Sequence, residues 1–249
     1  MRTVTAKKHL GQHFLKSSEI AHTIVDALER KEDYSTIMEI GPGMGILTDH
    51  LFQLKDQDIY LIELDKEAVG FLLNKYPEKA ARIIEADFLQ LDLGSICKEQ
   101  FAIIGNFPYN ISTQILFKVL ENREQVPEVV GMFQKEVAER IASGPGNRDY
   151  GILSVLMQAY YNVELLFTLN QEDFNPAPKV KSAILHFSRK ENFNLGCDPV
   201  LFKRVIKAAF NQRRKTLRNA LSVLNGKEAL NDVPFLDLRA EQLCWKQFV

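Results

Sequence analysis

The chain has 249 residues, 46% hydrophobic and 25% charged, which is ordinary for a soluble globular protein long enough to bury a substantial core. Three widely separated cysteines without a Cys-x-x-Cys pair argue against a disulfide framework and a zinc site, so we expect no metal and a reducing, cytoplasmic location. The net charge of −1 argues against a uniformly basic, polyanion-binding surface. Without a signal-peptide core or a membrane-length apolar run, we expect no membrane contact. We also expect a monomer.

The hydrophobic pattern predicts strands and helices that alternate along most of the chain. Strands are predicted at residues 36–40, 59–64, 83–86, 101–105 and 128–134, and helices at 17–29, 45–54, around 68–72, 112–121, 135–142 and 152–160. Two later strands, 163–169 and 182–188, could close the sheet as an antiparallel edge. This alternation predicts a Rossmann-like α/β fold with a parallel sheet and right-handed crossovers.

After residue 190 the pattern becomes wholly helical. Helices are predicted at 199–210, at 216–224 and in the C-terminal segment. We therefore predict an α/β domain at residues 1–190, which opens with a basic segment at 1–16, and a small all-helical domain at 191–249. The stretch Gly144-Pro145-Gly146-Asn147 is expected to be a mobile loop.

A glycine-rich loop, Gly41-Pro42-Gly43-Met44-Gly45, directly follows the first of the strands in the predicted sheet. Glycines let the backbone turn sharply and approach a ligand closely at the carboxyl end of a strand, where open α/β sheets bind nucleotides. Ile46 stands where a dinucleotide fingerprint has its third glycine, which disfavours a hydride-transfer enzyme. Gly41, Gly43 and Gly45 are therefore expected to contact a nucleotide-like cofactor of another kind.

Acidic residues end the next two predicted strands. Glu63, at the end of the second strand, is suited to accept hydrogen bonds from ribose hydroxyls. After the third strand, Asp87 could accept from an adenine amino group while Phe88 covers its ring. A single acid in such a place is usually a solvated cap, so these predictions depend on the motifs that surround them.

The tetrapeptide Asn106-Phe107-Pro108-Tyr109 follows the fourth predicted strand. Pro108 lacks an N–H and keeps Phe107 extended, so the backbone is stiff. The Asn106 side-chain oxygen and the Phe107 carbonyl could each accept one proton of an adenine N6 amine, which would turn the nitrogen lone pair toward an electrophile, while Tyr109 stacks on the ring. Such a tetrapeptide alone is typical of a turn. With the glycine loop and the two acids in order, it indicates an S-adenosylmethionine site joined to an amine-methylating site.

Five further stretches carry the resemblance to a known family. They are Lys7–Leu15, Gln134–Ala138, Tyr150–Val155, Phe174–Ala183 and Phe210–Asn219. With the four motifs, they make the chain similar over nearly its whole length to small-subunit ribosomal RNA adenine dimethyltransferases, the KsgA/RsmA family. The resemblance implies methyl transfer from S-adenosylmethionine to N6 of two adjacent adenines. In that family the adenines lie in a hairpin loop near the 3′ end of 16S rRNA, within the immature small ribosomal subunit.

The resemblance also implies roles for residues outside the four motifs. His13 and Leu15 are expected to line the cofactor pocket, together with Gly41, Glu63, Asp87 and Asn106. Phe174 is expected to flank the substrate base. Because His13 stands where the family commonly has asparagine, we expect its backbone rather than its side chain to make the contact.

Positive charge is concentrated in two segments of an otherwise acidic chain. Residues 1–20 contain four Lys or Arg and one Glu, and residues 179–219 contain eleven Lys or Arg and two acidic residues. Phosphate contacts that position RNA without reading its sequence are expected from Lys179, Lys181, Arg213, Arg214, Lys215 and Arg218. The last four lie within one and a half helical turns, so most of them would share one face. Solvated helix faces would give the same distribution of charge.

Two alternatives remain from the sequence. An enzyme of the same fold could modify a large-subunit rRNA adenine, as the macrolide-resistance methylases do, but the Tyr150–Val155 and Phe174–Ala183 signatures favour the small-subunit family. The chain could instead act mainly as a ribosome-assembly factor for which methylation is dispensable. The intact cofactor and amine motifs favour an enzyme.

Overall fold

The computed structural model describes residues 4–225 and 233–249. Its strands are β1 Phe14–Leu15, β2 Thr36–Ile40, β3 Asp58–Glu63, β4 Ile83–Glu85, β5 Phe101–Gly105, β6 Glu128–Gln134, β7 Tyr161–Leu169, β8 Phe174–Asn175 and β9 Ser182–Arg189. Its α-helices are α1 Ser18–Asp26, α2 Thr48–Leu51, α3 Lys66–Lys75, α4 Ser112–Glu121, α5 Lys135–Ala142, α6 Ile152–Tyr160, α7 Pro199–Asn211 and α8 Leu217–Asn225. Within these described ranges, no helix has the length and apolar character needed to cross a membrane.

Seven strands form one sheet in the order β4-β3-β2-β5-β6-β9-β7. The five strands from β4 to β6 run parallel, and β9 pairs with β6 in the antiparallel direction. Every residue of β2 and β5 is buried, as expected for central strands of a parallel sheet that is covered on both faces. The predicted Rossmann-like α/β fold is confirmed, and the carboxyl ends of β4, β3, β2 and β5 lie side by side.

The chain divides into two compact units. The first runs to Ala138 and also takes in Glu164–Arg189, and the second consists of Glu139–Val163 with the described residues from Lys190 onward. The sequence predicts a single boundary at residue 190, which leaves 139–163 in the first domain. Within the second unit, Tyr150 packs its ring against Phe210 of α7 at 6.1 Å between centroids, and this packing draws the segment to the C-terminal helices.

Three local features differ from the expectations. The helix predicted at 45–54 contains only α2, because Gly43 and Gly45 adopt positive φ angles that a right-handed helix cannot include. Residues 233–249 form short 3₁₀ turns at Ala240–Gln242 and Trp245–Gln247 instead of the predicted helix, and residues 226–232 lie outside the described ranges. The loop expected to be mobile is anchored, since the Gly146 N–H donates to the Glu241 carbonyl at 2.7 Å.

A buried polar cluster lies at the start of β6, at the opposite end of the sheet from the carboxyl ends of the parallel strands. Glu128 accepts from the Tyr34 hydroxyl at 2.5 Å and pairs with His186 Nε2 at 2.7 Å. Burial raises the pKa of Glu128, but hydrogen bonds from His186, Tyr34 and the backbone outweigh it and hold the pKa below its usual value. Burial lowers the pKa of His186, and the bond to Glu128 more than reverses this. Both shifts favour the ionised pair.

Candidate active site

A cavity opens where β4, β3, β2 and β5 end, which is where open α/β sheets bind their ligands. These four strands are neighbours in the sheet, and each is followed by one of the four predicted motifs. The N-terminal segment 10–14 forms a further wall. The predicted site residues that line the cavity are His13, Gly41, Gly43, Glu63, Asp87, Phe88, Asn106, Pro108 and Tyr109.

Two glycines of the loop after β2 have no room for a side chain. A Cβ on Gly43 would lie 2.8 Å from the Phe14 ring, and one on Gly45 would lie 2.6 Å from the Tyr76 hydroxyl. Both glycines also have positive φ angles, so a side chain would add backbone strain. Gly45 therefore packs against Tyr76 and does not line the cavity, whereas Gly43 does.

Glu63 is a buried carboxylate at the wall of the cavity. Its Oε2 accepts from the Gly43 N–H at 3.1 Å, and its Oε1 accepts from the Asp65 N–H at 2.9 Å. Burial raises the pKa of Glu63, although these backbone hydrogen bonds act in the opposite direction. Each oxygen keeps a second lone pair, so the carboxylate can accept from two hydroxyl groups of a ligand.

The N-terminal segment is held against this part of the cavity by Asp65, which caps α3. Asp65 accepts from Gln12 Nε2 at 3.1 Å and forms an ion pair with Lys7. Burial raises the pKa of Asp65, but the bonds from Lys7 and Gln12 outweigh it and hold the pKa below its usual value. The sequence did not predict these contacts of Asp65, since they join residues that belong to separate motifs.

Asp87 and Phe88 follow β4. Asp87 Oδ1 accepts from the Leu89 N–H at 2.9 Å, so the carboxylate is fixed at the edge of the cavity. The ammonium of Lys118 lies 5.3 Å from the centroid of the Phe88 ring and donates to the Leu89 carbonyl at 3.1 Å and to the Leu91 carbonyl. Burial lowers the pKa of Lys118, although nearby acids oppose this. Lys118 therefore holds the loop that presents Phe88, and sequence reasoning missed it.

Asn106 is oriented by the N-terminal segment. Its Nδ2 donates to the His13 carbonyl at 2.7 Å. A carbonyl oxygen can only accept, so the amide nitrogen must face His13 and the oxygen, Oδ1, is directed elsewhere. No donor in the described part of the chain reaches Oδ1 or the Phe107 carbonyl. The Asn106 oxygen is thus free at a residue that lines the cavity, whereas Phe107 is not among the residues that line it.

Tyr109 is fixed at both its ring and its hydroxyl. Its hydroxyl lies 2.5 Å from Ser182 Oγ, and its ring lies 5.4 Å from the His13 ring with 31° between the planes. Burial raises the pKa of Tyr109, although the bond to Ser182 opposes this, so the hydroxyl stays neutral. The ring is therefore an aromatic wall of the cavity with a defined orientation.

Three predicted site residues have side chains outside this cavity. The Phe107 ring is fully buried and packs edge-on against Phe133, so only its backbone can act on a ligand. Phe174 is 2% exposed in the core, because β8 pairs with β1 and turns Phe174 inward opposite Leu15. This placement contradicts the expected contact between Phe174 and a substrate base. Leu15 is buried too, but it lines a second, adjoining cavity.

The second cavity shares Gly41 and Asn106 with the first. It is also lined by Leu15 and by Glu39, which is buried at the end of β2 and accepts from the Thr48 hydroxyl at 2.6 Å. Burial raises the pKa of Glu39 to about 8, although the Thr48 bond opposes the shift. Because Phe14, Gly41 and Asn106 line both cavities, the two cavities adjoin at these residues.

The predicted phosphate contacts fall into two groups. Lys179 and Lys181 are exposed in the loop before β9 of the first unit. In the second unit, residues 213–215 lie in the turn between α7 and α8, so they do not share a helix face with Arg218 as predicted. Arg213 is bound to Glu241 at 3.1 Å and to the Asn147 carbonyl at 3.4 Å, and Arg218 approaches Asp237 at 3.5 Å. Of the four basic residues from 213 to 218, only those at 214 and 215 are exposed without a bonded partner among the described residues.

The chain is similar to known proteins over nearly its whole length. The ribosomal RNA adenine dimethylase family model matches residues 3–238. Ribosomal RNA small subunit methyltransferase A of Cytophaga hutchinsonii is 51% identical over 248 residues, which are 100% of this chain and 96% of that protein. The enzyme of the same name from Parabacteroides distasonis is 52% identical over 250 residues, or 100% and 93% of the two chains.

Two solved structures share the fold. A dimethyladenosine transferase from Plasmodium falciparum has a TM-score of 0.80 at 24% identity, and the alignment covers 95% of this chain and 94% of that one. The 23S rRNA methyltransferase ErmE has a TM-score of 0.68 at 24% identity, with 94% and 97% covered.

These matches extend over nearly the whole chain, including the C-terminal helical part. They confirm the resemblance that the motifs suggest, and the family match over residues 3–238 carries with it S-adenosylmethionine as the cofactor. The tightly packed glycine loop, the buried Glu63 carboxylate and the free oxygen of Asn106 fit such a cofactor bound beside an amine. Both side chains offer hydrogen-bond acceptors. The chain belongs to the ribosomal RNA adenine dimethylase family, whose members are S-adenosylmethionine-dependent methyltransferases.

Proposed function

We propose that this chain dimethylates N6 of two adjacent adenines in a hairpin loop near the 3′ end of small-subunit rRNA. The observation that carries the proposal is the orientation of Asn106, which lines both cavities, donates from its nitrogen to the His13 carbonyl and leaves its oxygen without a donor among the described residues. The relatives near 50% identity, named as small subunit methyltransferases, support the choice of rRNA.

The residues of the first cavity suit the nucleoside part of the cofactor. Glu63 would accept from the ribose hydroxyls, Asp87 from the adenine amino group, and Phe88 would cover the adenine ring. The segment at His13 and Leu15, which borders both cavities, would bind through its backbone. Since the Glu63 carboxylate must be ionised to accept two hydroxyls, its raised pKa makes binding sensitive to pH.

Catalysis would consist mainly of positioning. When bound, S-adenosylmethionine supplies an electrophilic methyl group on a positively charged sulfur. The adenine N6 amine is a poor nucleophile because its lone pair is delocalised into the ring. In the first transfer Asn106 Oδ1 and the Phe107 carbonyl would each accept a hydrogen bond from N6, which localises the lone pair on the nitrogen while Tyr109 stacks on the base. The proton that the methyl group displaces from N6 would leave to water. Holding the reacting atoms in line in this way can lower a barrier by several kcal/mol, about 7–11 at most.

The proposed partner is rRNA within the immature small subunit, bound by a monomer in the cytoplasm. The target base must be unstacked to enter the cavity, which costs least for an adenine in a loop. Phosphate contacts are proposed from Lys179 and Lys181, and from Arg214 and Lys215. Arg213 and Arg218 would contribute less, because each is already paired with an acid.

The test is a methylation assay on immature small subunits with isotopically labelled S-adenosylmethionine. After digestion of the rRNA, mass spectrometry should find label in N6,N6-dimethyladenosine at two adjacent positions near the 3′ end. Large subunits serve as the control substrate. Label only in large-subunit adenines, or stable binding to small subunits without any label, would contradict the proposal and favour the macrolide-resistance type of activity or a pure assembly role, respectively.

A further inference from the structure

The loop that leads into β9 is hydrogen-bonded at both ends to the active site. At its start, the Pro176 carbonyl accepts from His13 Nδ1 at 2.7 Å, and because a carbonyl only accepts, Nδ1 carries the proton. At its end, the fully buried Ser182 meets the Tyr109 hydroxyl at 2.5 Å. The two ends thus reach the two rings that stack on each other at the cavity wall.

The backbone of Ser182 is held by the sheet. Ser182 is the first residue of β9 and lies opposite Gln134 at the end of β6. Just before it, the Lys181 carbonyl accepts from the Lys135 N–H at 2.9 Å. The backbone at Ser182 is therefore held at the end of the sheet, and the buried hydroxyl has the Tyr109 hydroxyl as its partner.

Two neighbours, Ser182 and His13, together orient the Tyr109 ring. Two side-chain torsions place a tyrosine ring, and a hydrogen bond at the hydroxyl fixes where the tip of the ring points. The His13 ring then limits the tilt of the Tyr109 plane. Without the Ser182 hydroxyl, only the contact with His13 would remain to orient the ring.

We propose that Ser182 is a positioning residue for methyl transfer, whose hydroxyl holds the Tyr109 ring in the orientation that sets the target base against Asn106. This inference rests on the proposed function, in which Tyr109 stacks on the base. Ser182 does not line the cavity itself, so it acts on the reaction through Tyr109 and not on the cofactor. Misplacing a reacting atom by about 1 Å can cost on the order of 10²-fold in rate, so a small rotation of the ring matters.

Three variants test the inference: Ser182→Ala, Tyr109→Phe and the double replacement. Each single change removes the same hydrogen bond from one side. We expect each to lower kcat about tenfold while KM for small subunits and Kd for S-adenosylmethionine change less than about twofold. The double variant should be no slower than the slower single one, because the bond can be lost only once.

A purely structural role is tested by Ser154→Ala. Ser154 is as buried as Ser182, and its hydroxyl donates to the Arg140 carbonyl at 2.6 Å. We expect Ser154→Ala to lower the melting temperature without lowering kcat of the folded enzyme. If both serine variants lose stability and neither loses kcat, Ser182 is only structural and the inference is wrong.

Other outcomes distinguish a failure of this inference from a failure of the proposed function. Normal kcat in Ser182→Ala, with transfer abolished in Asn106→Ala, overturns the role of Ser182 alone. Near-normal transfer in Asn106→Ala overturns the proposed function. If Ser182→Ala does not fold, Tyr109→Phe still removes the same hydrogen bond, and a normal kcat in Tyr109→Phe overturns the inference. A folded double variant whose loss of kcat equals the product of the two single losses also overturns it.

Discussion

Replacing Glu63 by Gln is expected to weaken the cofactor site in two ways. Both carboxylate oxygens accept backbone N–H groups at 5% exposure, one from Gly43 and one from Asp65. A glutamine keeps one acceptor but turns an NH₂ group toward the other N–H, which leaves a buried donor unsatisfied at a cost of about 1–3 kcal/mol. The ribose hydroxyls lose an acceptor at the same time.

The expected loss of S-adenosylmethionine affinity in Glu63→Gln is about 1–3 kcal/mol, or roughly 5- to 150-fold in Kd. Titration calorimetry measures it directly. The pH dependence gives a second readout, because Glu63 must be ionised to accept and its pKa is raised by burial. Wild-type affinity should fall as the pH drops through this raised pKa, at a higher pH than for an ordinary Glu, and the Gln variant should lack this step.

Glu85→Gln is the matched control for Glu63→Gln. Glu85 lies opposite Glu63 in the register of β3 and β4, but its side chain is 48% exposed, pairs only with Lys66 and does not line the cavity. We expect its affinity to equal that of the wild type. If Glu63→Gln bound the cofactor as tightly as Glu85→Gln at every pH, the assignment of Glu63 to the ribose would be wrong.

Three further outcomes are expected from the same reasoning. Lys118→Met should raise Kd for S-adenosylmethionine several-fold in calorimetry, since it releases the loop that carries the adenine-covering phenylalanine, at a cost of about 1 kcal/mol. The free energy of unfolding, measured by chemical denaturation, should fall at both low and high pH. The folded pKa of Glu128 is depressed, so its contribution to stability is lost as the pH falls below about 4.5. The folded pKa of His186 is raised, so its contribution is lost as the pH rises above about 6.5. Replacing Arg214 and Lys215 by Ala should lower the slope of log K against log salt for subunit binding by roughly 0.7 to 0.9 per residue.

Each of these outcomes has a control. Lys118→Arg keeps the positive charge and should restore most of the affinity. Glu128→Gln should flatten both limbs of the pH profile, and an unchanged profile would show that the buried pair does not set it. Arg213→Ala should lower the melting temperature more than it lowers the salt slope, because Arg213 is bound to Glu241. If the slope of log K against log salt were the same in the wild type and in the Arg214 and Lys215 variants, these two side chains would not contact RNA phosphates.

The sequence predicts the fold well where regular hydrophobic patterns decide it. The strands 36–40 and 101–105 and the helix 112–121 have the predicted bounds, because their apolar residues follow the period of the element. The four motifs meet at one cavity for the same reason, since the carboxyl ends of neighbouring parallel strands lie together.

Contacts between distant residues could not be predicted in this way. Asn106 and His13 are 93 residues apart, and Tyr109 and Ser182 are 73 apart, yet these two hydrogen bonds orient the catalytic loop. Nothing in the local pattern around Phe174 shows that a two-residue strand turns it into the core. Composition also cannot distinguish a paired cation such as Arg213 from a free one.

The orientation of the target amine by Asn106 is tested most directly by single-turnover methyl transfer in Asn106→Ala. Asn110→Ala is the control, because Asn110 also lines the cavity and its amide also donates to a carbonyl of the N-terminal segment, that of His9 at 3.4 Å. We expect Asn106→Ala to bind S-adenosylmethionine nearly as well as the wild type and to lose most methyl transfer, while Asn110→Ala retains it. Near-normal transfer in Asn106→Ala, with the rRNA dimethylated at the same adenines, would contradict the account.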